Sequence, residues 1–349
     1  MPALRGEREM KEKNRGEQKQ GKGHARRILV CRTDRFGEFL LNVPAFRALQ
    51  KAHPGAAFYI ACDPNVAPLA RLLVSGGGQV VAFENRRHSL SEILSFSRRL
   101  KKGKIDTCVV FNPTKEMHLA AYLAGIPRRI GYSRKWGFLL TKKLRDTRDL
   151  GFKHEKQSNL ELAALAGAAE PAAGDHRLLS AESLGTLLPE KFLKEGFVAF
   201  HPWTSDPVKQ WPHERFLRLA RLISGELDMN LAMIGGPEES RVYPEFYSAL
   251  SGGNIVNLTG KTTLSQLLKV LSVSRLLVSG DSGPMHLAAA AGAPVAALFR
   301  NDIAGKAPRR WGPLGEGNIV LERPSLLKID VEEVFEAVKG ILGAQNTLH

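Results

Sequence analysis

Val278-Ser279-Gly280-Asp281-Ser282-Gly283-Pro284-Met285-His286, followed by Leu287 and four alanines, is the stretch best suited to hold an anion. The apolar run Leu276-Leu277-Val278 predicts a strand, and the small and acidic residues after it predict a tight turn into an Ala-rich helix. Ser282 is placed as an N-cap. Pro284 falls just inside the helix, where its missing N–H costs nothing. Unpaired N–H groups at such a start attract anions, and Gly283 lets a phosphate approach the backbone closely. An ordinary strand–helix turn with Asp281 and Ser282 as caps explains this tripeptide equally well, so the weight comes from other segments.

Three of those segments also follow short apolar runs. His201-Pro202-Trp203-Thr204-Ser205-Asp206-Pro207-Val208-Lys209-Gln210-Trp211-Pro212 holds a lysine in a loop bounded by Trp and Pro. Lys209 there can neutralise a phosphate as a point charge; a solvated loop lysine is the plainer reading. Ile234-Gly235-Gly236-Pro237-Glu238-Glu239 places an acid where a ribose diol could be hydrogen-bonded, or where helix acids simply complement a dipole. Arg32 to Ala45 lacks both the Gly-x-Gly-x-x-Gly of a dinucleotide site and the Gly-Lys-Ser/Thr of a P-loop. It offers Glu38 at the opening of a helix, a carboxylate suited to general-base work or to the helix dipole alone.

The elements that must position these residues alternate. Apolar runs at Ile28–Cys31, Phe58–Ala61, Val80–Phe83 and Cys108–Phe111 are separated by helical patterns over Glu38–Lys51, Asn65–Leu73, Ser89–Leu100 and Glu116–Ala124. The alternation weakens from Arg128 to Lys156, where basic residues crowd in, and restarts at Gly196 with strands at Phe197–Phe200, Leu231–Ile234, Ile255–Leu258, Leu276–Val278 and Val295–Leu298. Strands separated by helices at this pitch imply parallel sheets covered on both faces. At 349 residues the chain suits two domains. The expected division is a basic, disordered leader over 1–25, a first Rossmann-like domain over 26–170, a linker over 171–195, a second over 196–330, and a closing helix over 331–349.

Lysines and arginines number 50 against 35 acids, a net charge of +15 that favours acidic partners without choosing among nucleic acid, an anionic membrane and a phosphorylated substrate. No apolar run approaches the ~20 residues of a membrane span. Cys31, Cys62 and Cys108 fall in or beside apolar runs without metal-ligand spacing, which suits buried thiols in a reducing cytoplasm.

Taken together, these segments resemble glycosyltransferase family 9, the ADP-heptose:lipopolysaccharide heptosyltransferases. Its Arg-x-x-x-x-Gly-Asp-x-x-x-x-x-Pro-Ala pattern is matched from Arg32 to Ala45, with Glu38 in place of the usual Asp. Its Lys-x-Trp-Pro is matched by Lys209 to Pro212, and its Asp-Thr-Gly-Pro-x-His by Asp281 to His286, with Ser282 for Thr. The order and spacing cover roughly residues 26 to 345.

The resemblance implies an α/β chain of GT-B architecture, two Rossmann-like parallel-sheet domains facing a central cleft, with the closing helix packed back on the first domain. It implies an inverting transfer of heptose from ADP-heptose to the lipopolysaccharide inner core. Thr204, Ser205, Lys209, Glu239, Asp281, Ser282, Gly283 and His286 would hold the donor. Glu38, or its neighbour Asp34, would take the acceptor's proton, and Lys209 would stabilise the leaving diphosphate. Arg32, Arg35, Arg128, Arg129, Arg134 and Lys135 would hold the acceptor's acidic groups. No metal or other cofactor is implied. The partners would be a sugar nucleotide and a phosphorylated glycolipid, with the enzyme cytoplasmic and peripheral to the inner membrane. Other sugar nucleotides, other envelope acceptors and a noncatalytic sugar-nucleotide binder stay open. A nucleic-acid module is suggested by charge alone, and the dispersed basic residues form no nucleic-acid motif.

Overall fold

The computed structural model describes residues 26–242, 250 and 253–346; the expected leader lies outside them. Among the described residues, twelve strands form two parallel sheets of six. The first sheet contains β1 (Arg27–Cys31), β2 (Ala57–Cys62), β3 (Val80–Ala82), β4 (Thr107–Val110), β5 (Arg128–Tyr132) and β6 (Lys142–Leu144), in the order β3-β2-β1-β4-β5-β6. The second contains β7 (Phe197–His201), β8 (Asn230–Met233), β9 (Ile255–Asn257), β10 (Leu276–Gly280), β11 (Val295–Arg300) and β12 (Ile319–Arg323), in the order β12-β11-β10-β7-β8-β9. Both sheets therefore repeat one doubly wound plan. In each, the reversal point lies beside the first strand of that half, where ligands enter beyond the strand C-termini. The central strands β1, β4, β7, β8, β10 and β11 are buried along nearly their whole length, as strands covered on both faces must be.

The helical pattern expected over Glu38–Lys51 is broken into two helices, Phe36–Leu40 and Val43–Ala52. Pro44 cannot donate to the carbonyl four residues back, so the ladder is interrupted just before it. Asn42 closes the gap: its Nδ2 donates to the Glu38 carbonyl at 2.9 Å. The break leaves Glu38 on a short helix of its own, separate from the longer one that packs in the core.

All three cysteines are buried thiols, in β1, β2 and β4, with Cys31 and Cys108 Sγ atoms 3.6 Å apart. The segment 171–195 is packed: Leu178, Leu188 and Phe192 are buried, and Leu178 N donates to the Ala290 carbonyl at 2.7 Å.

Among the described residues the closing helix, Val331–Asn346, packs on the second domain, not on the first as expected. It lies along the helix His213–Glu226 and against β10, β11 and β12 of the second sheet. The reason is its apolar face. Val334, Phe335, Val338 and Ile341 recur at helical spacing and share a buried cluster with Phe200, Leu219, Ile223 and Val278 of the second domain. Gln345 also donates to the Arg275 carbonyl at 2.7 Å.

Candidate functional site

The two sheets enclose a cavity of about 620 Å³ at their C-terminal edges. Of the residues expected to act, Arg35 and Glu38 line it from the first domain, and Thr204, Ser205, Lys209, Glu239, Asp281, Ser282, Gly283 and His286 line it from the second. Glu38 sits in the first turn of Phe36–Leu40. Arg35 donates to its Oε1 from Nη2 at 2.8 Å and from Nε at 3.2 Å, and no described group bonds Oε2. Arg35 also reaches the opposite domain, donating from Nη1 to Ser205 Oγ at 3.3 Å.

Across the cavity the helix Gly283–Ala291 begins with Pro284 in its first turn. Ser282 occupies the N-cap position but does not cap. Its hydroxyl is engaged instead by Ser279 Oγ at 2.8 Å and His201 Nδ1 at 3.2 Å. The first N–H groups are thereby left without a side-chain acceptor, which suits an anion. Lys209 Nζ and Asp281 Oδ2 form a 2.5 Å ion pair beside this helix start. Burial raises the Asp281 carboxyl above the ordinary range against the opposing pull of Lys209, and the charge of Glu38 pushes it the same way. The two carboxylates, one from each domain, thus interact across the same space.

Glycines let the domains meet here. A Cβ on Gly283 would stand 2.3 Å from the Phe36 ring, and one on Gly37 would stand 3.1 Å from the His286 ring and 3.2 Å from Gly283 Cα. Phe36 therefore rests directly on the backbone at the start of the anion-suited helix.

His286 and His201 are buried, and burial holds each down to about 3, so both are neutral imidazoles. His286 Nδ1 has no hydrogen-bond partner, a cost of roughly 1–3 kcal/mol that a ligand hydroxyl could relieve. In the unfolded chain a histidine titrates near 6.5, so between about 6.5 and 3 the unfolded state binds more protons. The stability conferred by keeping these rings neutral is complete above about pH 6.5 and declines by about 1.4 kcal/mol per pH unit per histidine as the pH falls. The melting temperature is accordingly expected to drop by several degrees between pH 7 and pH 5; a flat profile would show that neither ring is held neutral.

The remaining expected residues lie elsewhere. Arg32 is buried and committed, with Nε 2.7 Å from Asp34 Oδ1 and Nη1 3.2 Å from Glu155 Oε1. Asp34 does not line the cavity. Arg129 donates to the Leu139 and Ile126 carbonyls and covers the Tyr122 ring, closing a turn. Arg128 is half-buried on β5; Arg134 and Lys135 are exposed beyond its end, Arg134 3.2 Å from Asp146. A guanidinium drawn into the interior needs carboxylates or carbonyls, and that is where Arg32 and Arg129 point.

Asp206, Lys306, Arg310 and Trp311 also line the cavity and were not expected there. Asp206 and Lys306 pair at 2.9 Å. The region after β11 carries glycines and prolines but no helical or strand periodicity, so it reads as an ordinary loop and not as a wall of the cleft. Among the described residues no group of three or more His, Cys, Asp or Glu could hold a metal ion.

Comparison with known proteins agrees with this fold. The profile of "Glycosyltransferase family 9 (heptosyltransferase)" matches residues 93–333. Lipopolysaccharide heptosyltransferase 2 of Escherichia coli strain K12 is 23% identical over 287 residues, covering 78% of this chain and 82% of the relative. The crystal structure of a family 9 glycosyl transferase from Veillonella parvula superposes with a TM-score of 0.79 at 21% identity, covering 91% of this chain and 97% of that one. The E. coli ADP-heptose lps heptosyltransferase II structure gives a TM-score of 0.75 at 21% identity, covering 92% and 99%. With two parallel α/β domains meeting at a charged cleft and a family profile spanning most of its length, this chain belongs to glycosyltransferase family 9 and is a GT-B transferase.

Proposed function

We propose that the chain transfers heptose from ADP-heptose to a lipopolysaccharide inner-core acceptor, with inversion at the anomeric carbon. The observation that carries this reading is the opposition, within one cavity, of Glu38 from the first domain to Lys209, Asp281 and an uncapped helix start from the second. Glu38 takes the proton from the attacking acceptor hydroxyl as the anomeric C–O bond to the diphosphate breaks. Lys209 and the N–H groups at Gly283 receive the charge that develops on the leaving diphosphate. Lys209 Nζ has donors beyond the one that Asp281 engages and can turn them to the phosphate oxygens. Asp281 and the neutral His286 are then suited to sugar hydroxyls, Thr204 and Ser205 to phosphate oxygens, and Glu239 to the ribose.

Two measurements test the reading. Thermal stabilisation by ADP-, GDP-, UDP- and CMP-sugars reports the donor, because a ligand raises stability in proportion to its affinity; equal responses to all four would remove the donor assignment. Mass spectrometry of a truncated core acceptor after incubation with ADP-heptose should show the addition of one heptose. Binding without transfer would make the chain a sugar-nucleotide binder.

An acceptor carried on a lipid places the enzyme at a membrane, and one edge of the first domain supports that placement. No described helix is long and apolar enough to cross a membrane. Around the outer strand β6, however, Phe138 is 74% exposed and Phe152 66%, with Trp136 and Leu150 also exposed. Lys142, Lys143 and Arg145 are exposed between them in the chain. Aromatic side chains set among cations suit an anionic bilayer surface. The protein is expected to pellet with phosphatidylglycerol vesicles but not with phosphatidylcholine ones, and the Phe138→Ser/Phe152→Ser variant to stay in the supernatant. Equal pelleting of variant and wild type would remove this surface from consideration.

A further inference from the structure

Among the described residues, the Lys and Arg side chains that line the cavity are Arg35, Lys209, Lys306 and Arg310. The first three are paired with carboxylates that line it too: Glu38, Asp281 and Asp206. An anion approaching any of them meets a carboxylate inside the cavity beside the cation, and the like charge repels it. Arg310 differs. Its partner Glu155 is absent from the cavity wall, lying buried at the start of the helix Glu155–Ala164 of the first domain.

The grip on Arg310 is specific. Glu155 Oε2 accepts from both Arg310 Nε and Nη2 at 3.1 Å, while its Oε1 accepts from Arg148 Nη1 at 2.9 Å and Arg32 Nη1 at 3.2 Å. Arg32 and Arg148 have further carboxylates in Asp34 and Asp146; Arg310 has none among the described ion pairs. The Nε–Nη2 edge is thus fixed from the opposite domain, and no described group bonds Nη1. The backbones around it are pressed together. A Cβ on Gly151 of the first domain would stand 2.7 Å from Gly305 N of the second, and His154 Nε2 lies 3.0 Å from the Gly312 carbonyl.

We propose that Arg310 contacts an anionic oxygen of the donor's diphosphate through Nη1, and that Glu155 is its positioning residue, acting across the domain boundary. This rests on reading the cavity as a sugar-nucleotide site. The physical advantage is that Arg310 can bind an anion without giving up its ion pair, so its guanidinium is set in place before the ligand arrives. Arginine's planar fork allows this division of labour between two edges, which an ammonium cannot reproduce.

The test is calorimetric titration of inorganic pyrophosphate into wild type, Arg310→Lys, Glu155→Gln and the double variant, with thermal unfolding run alongside to give the folded fraction. Arg310→Lys keeps the charge and loses the fork; it is expected to fold normally and to bind pyrophosphate about tenfold more weakly. Glu155→Gln should weaken binding by a similar factor, and the double variant by no more than either single change. Wild-type affinity in Arg310→Lys, or no pyrophosphate binding by wild type, overturns the contact. Losses that multiply in the double variant overturn the positioning role. Pyrophosphate binding that behaves as expected in a protein that transfers no heptose would sink the heptose reading and leave this one standing.

Discussion

Glu38→Gln is expected to lower kcat by about 10³-fold while leaving donor affinity within a few-fold of wild type. The substitution keeps the shape of the side chain and its contact with Arg35 but removes the atom that can accept a proton. A positioned general base contributes typically 10²–10⁴-fold. The size of the loss also distinguishes Glu38 from Asp34. Asp34 Oδ1 is bonded to Arg32 Nε at 2.7 Å and lies off the cavity wall, whereas Glu38 lines the wall and no described group bonds its Oε2. Asp34→Asn should therefore cost far less in kcat than Glu38→Gln. The comparison is made with saturating donor and acceptor. A Glu38→Gln enzyme as fast as wild type would remove the carboxylate from the chemistry.

The second large effect is on stability. Replacing Glu155 by Leu is expected to destabilise the protein by about 3–5 kcal/mol, the usual cost of deleting one partner from a buried ionic cluster. Glu155 is flanked by three guanidinium groups, and they hold its carboxyl below the usual range against the upward push of burial. Leu would leave those cations with Asp34 and Asp146 alone, and Arg310 with no described carboxylate. Urea denaturation reads the change as a shift in midpoint. Because Glu155 joins the two domains, the loss should also separate a shared transition into two. A midpoint within 1 kcal/mol of wild type would mean that solvent reaches these groups and compensates them.

The second half of the site was legible in the sequence because its chemistry is local. Lys209, Asp281, Gly283 and His286 follow strand-like runs at short intervals, and turn and cap rules apply directly to such segments. β5, β6 and β12 were missed, since their basic or alternating sequences look like loops until a neighbouring strand pairs with them. The roles of Arg32 and Arg129 were not readable for a related reason. Exposed and buried arginines look alike in a sequence, and only the fold brings Glu155 to one and the Leu139 carbonyl to the other, 123 and 10 residues away. The closing helix was placed on the wrong domain by resemblance, although its own apolar spacing matches a stripe that the second sheet buries. Arg310 has no local signature at all. Its significance arises from a partner 155 residues earlier in the chain.

Phe36 rests on Gly283 at the point where the diphosphate is expected to sit. On the proposed reading, a nucleotide product bound there would be bracketed by a ring from one domain and a helix from the other, and its release is expected to require the two halves to separate. Turnover at saturation is then expected to be set by how often the cleft opens, as in many enzymes that close over their substrates. Such motion drags solvent, so kcat should fall in proportion as sucrose thickens the medium, whereas bond-making inside the closed cleft would not feel the viscosity.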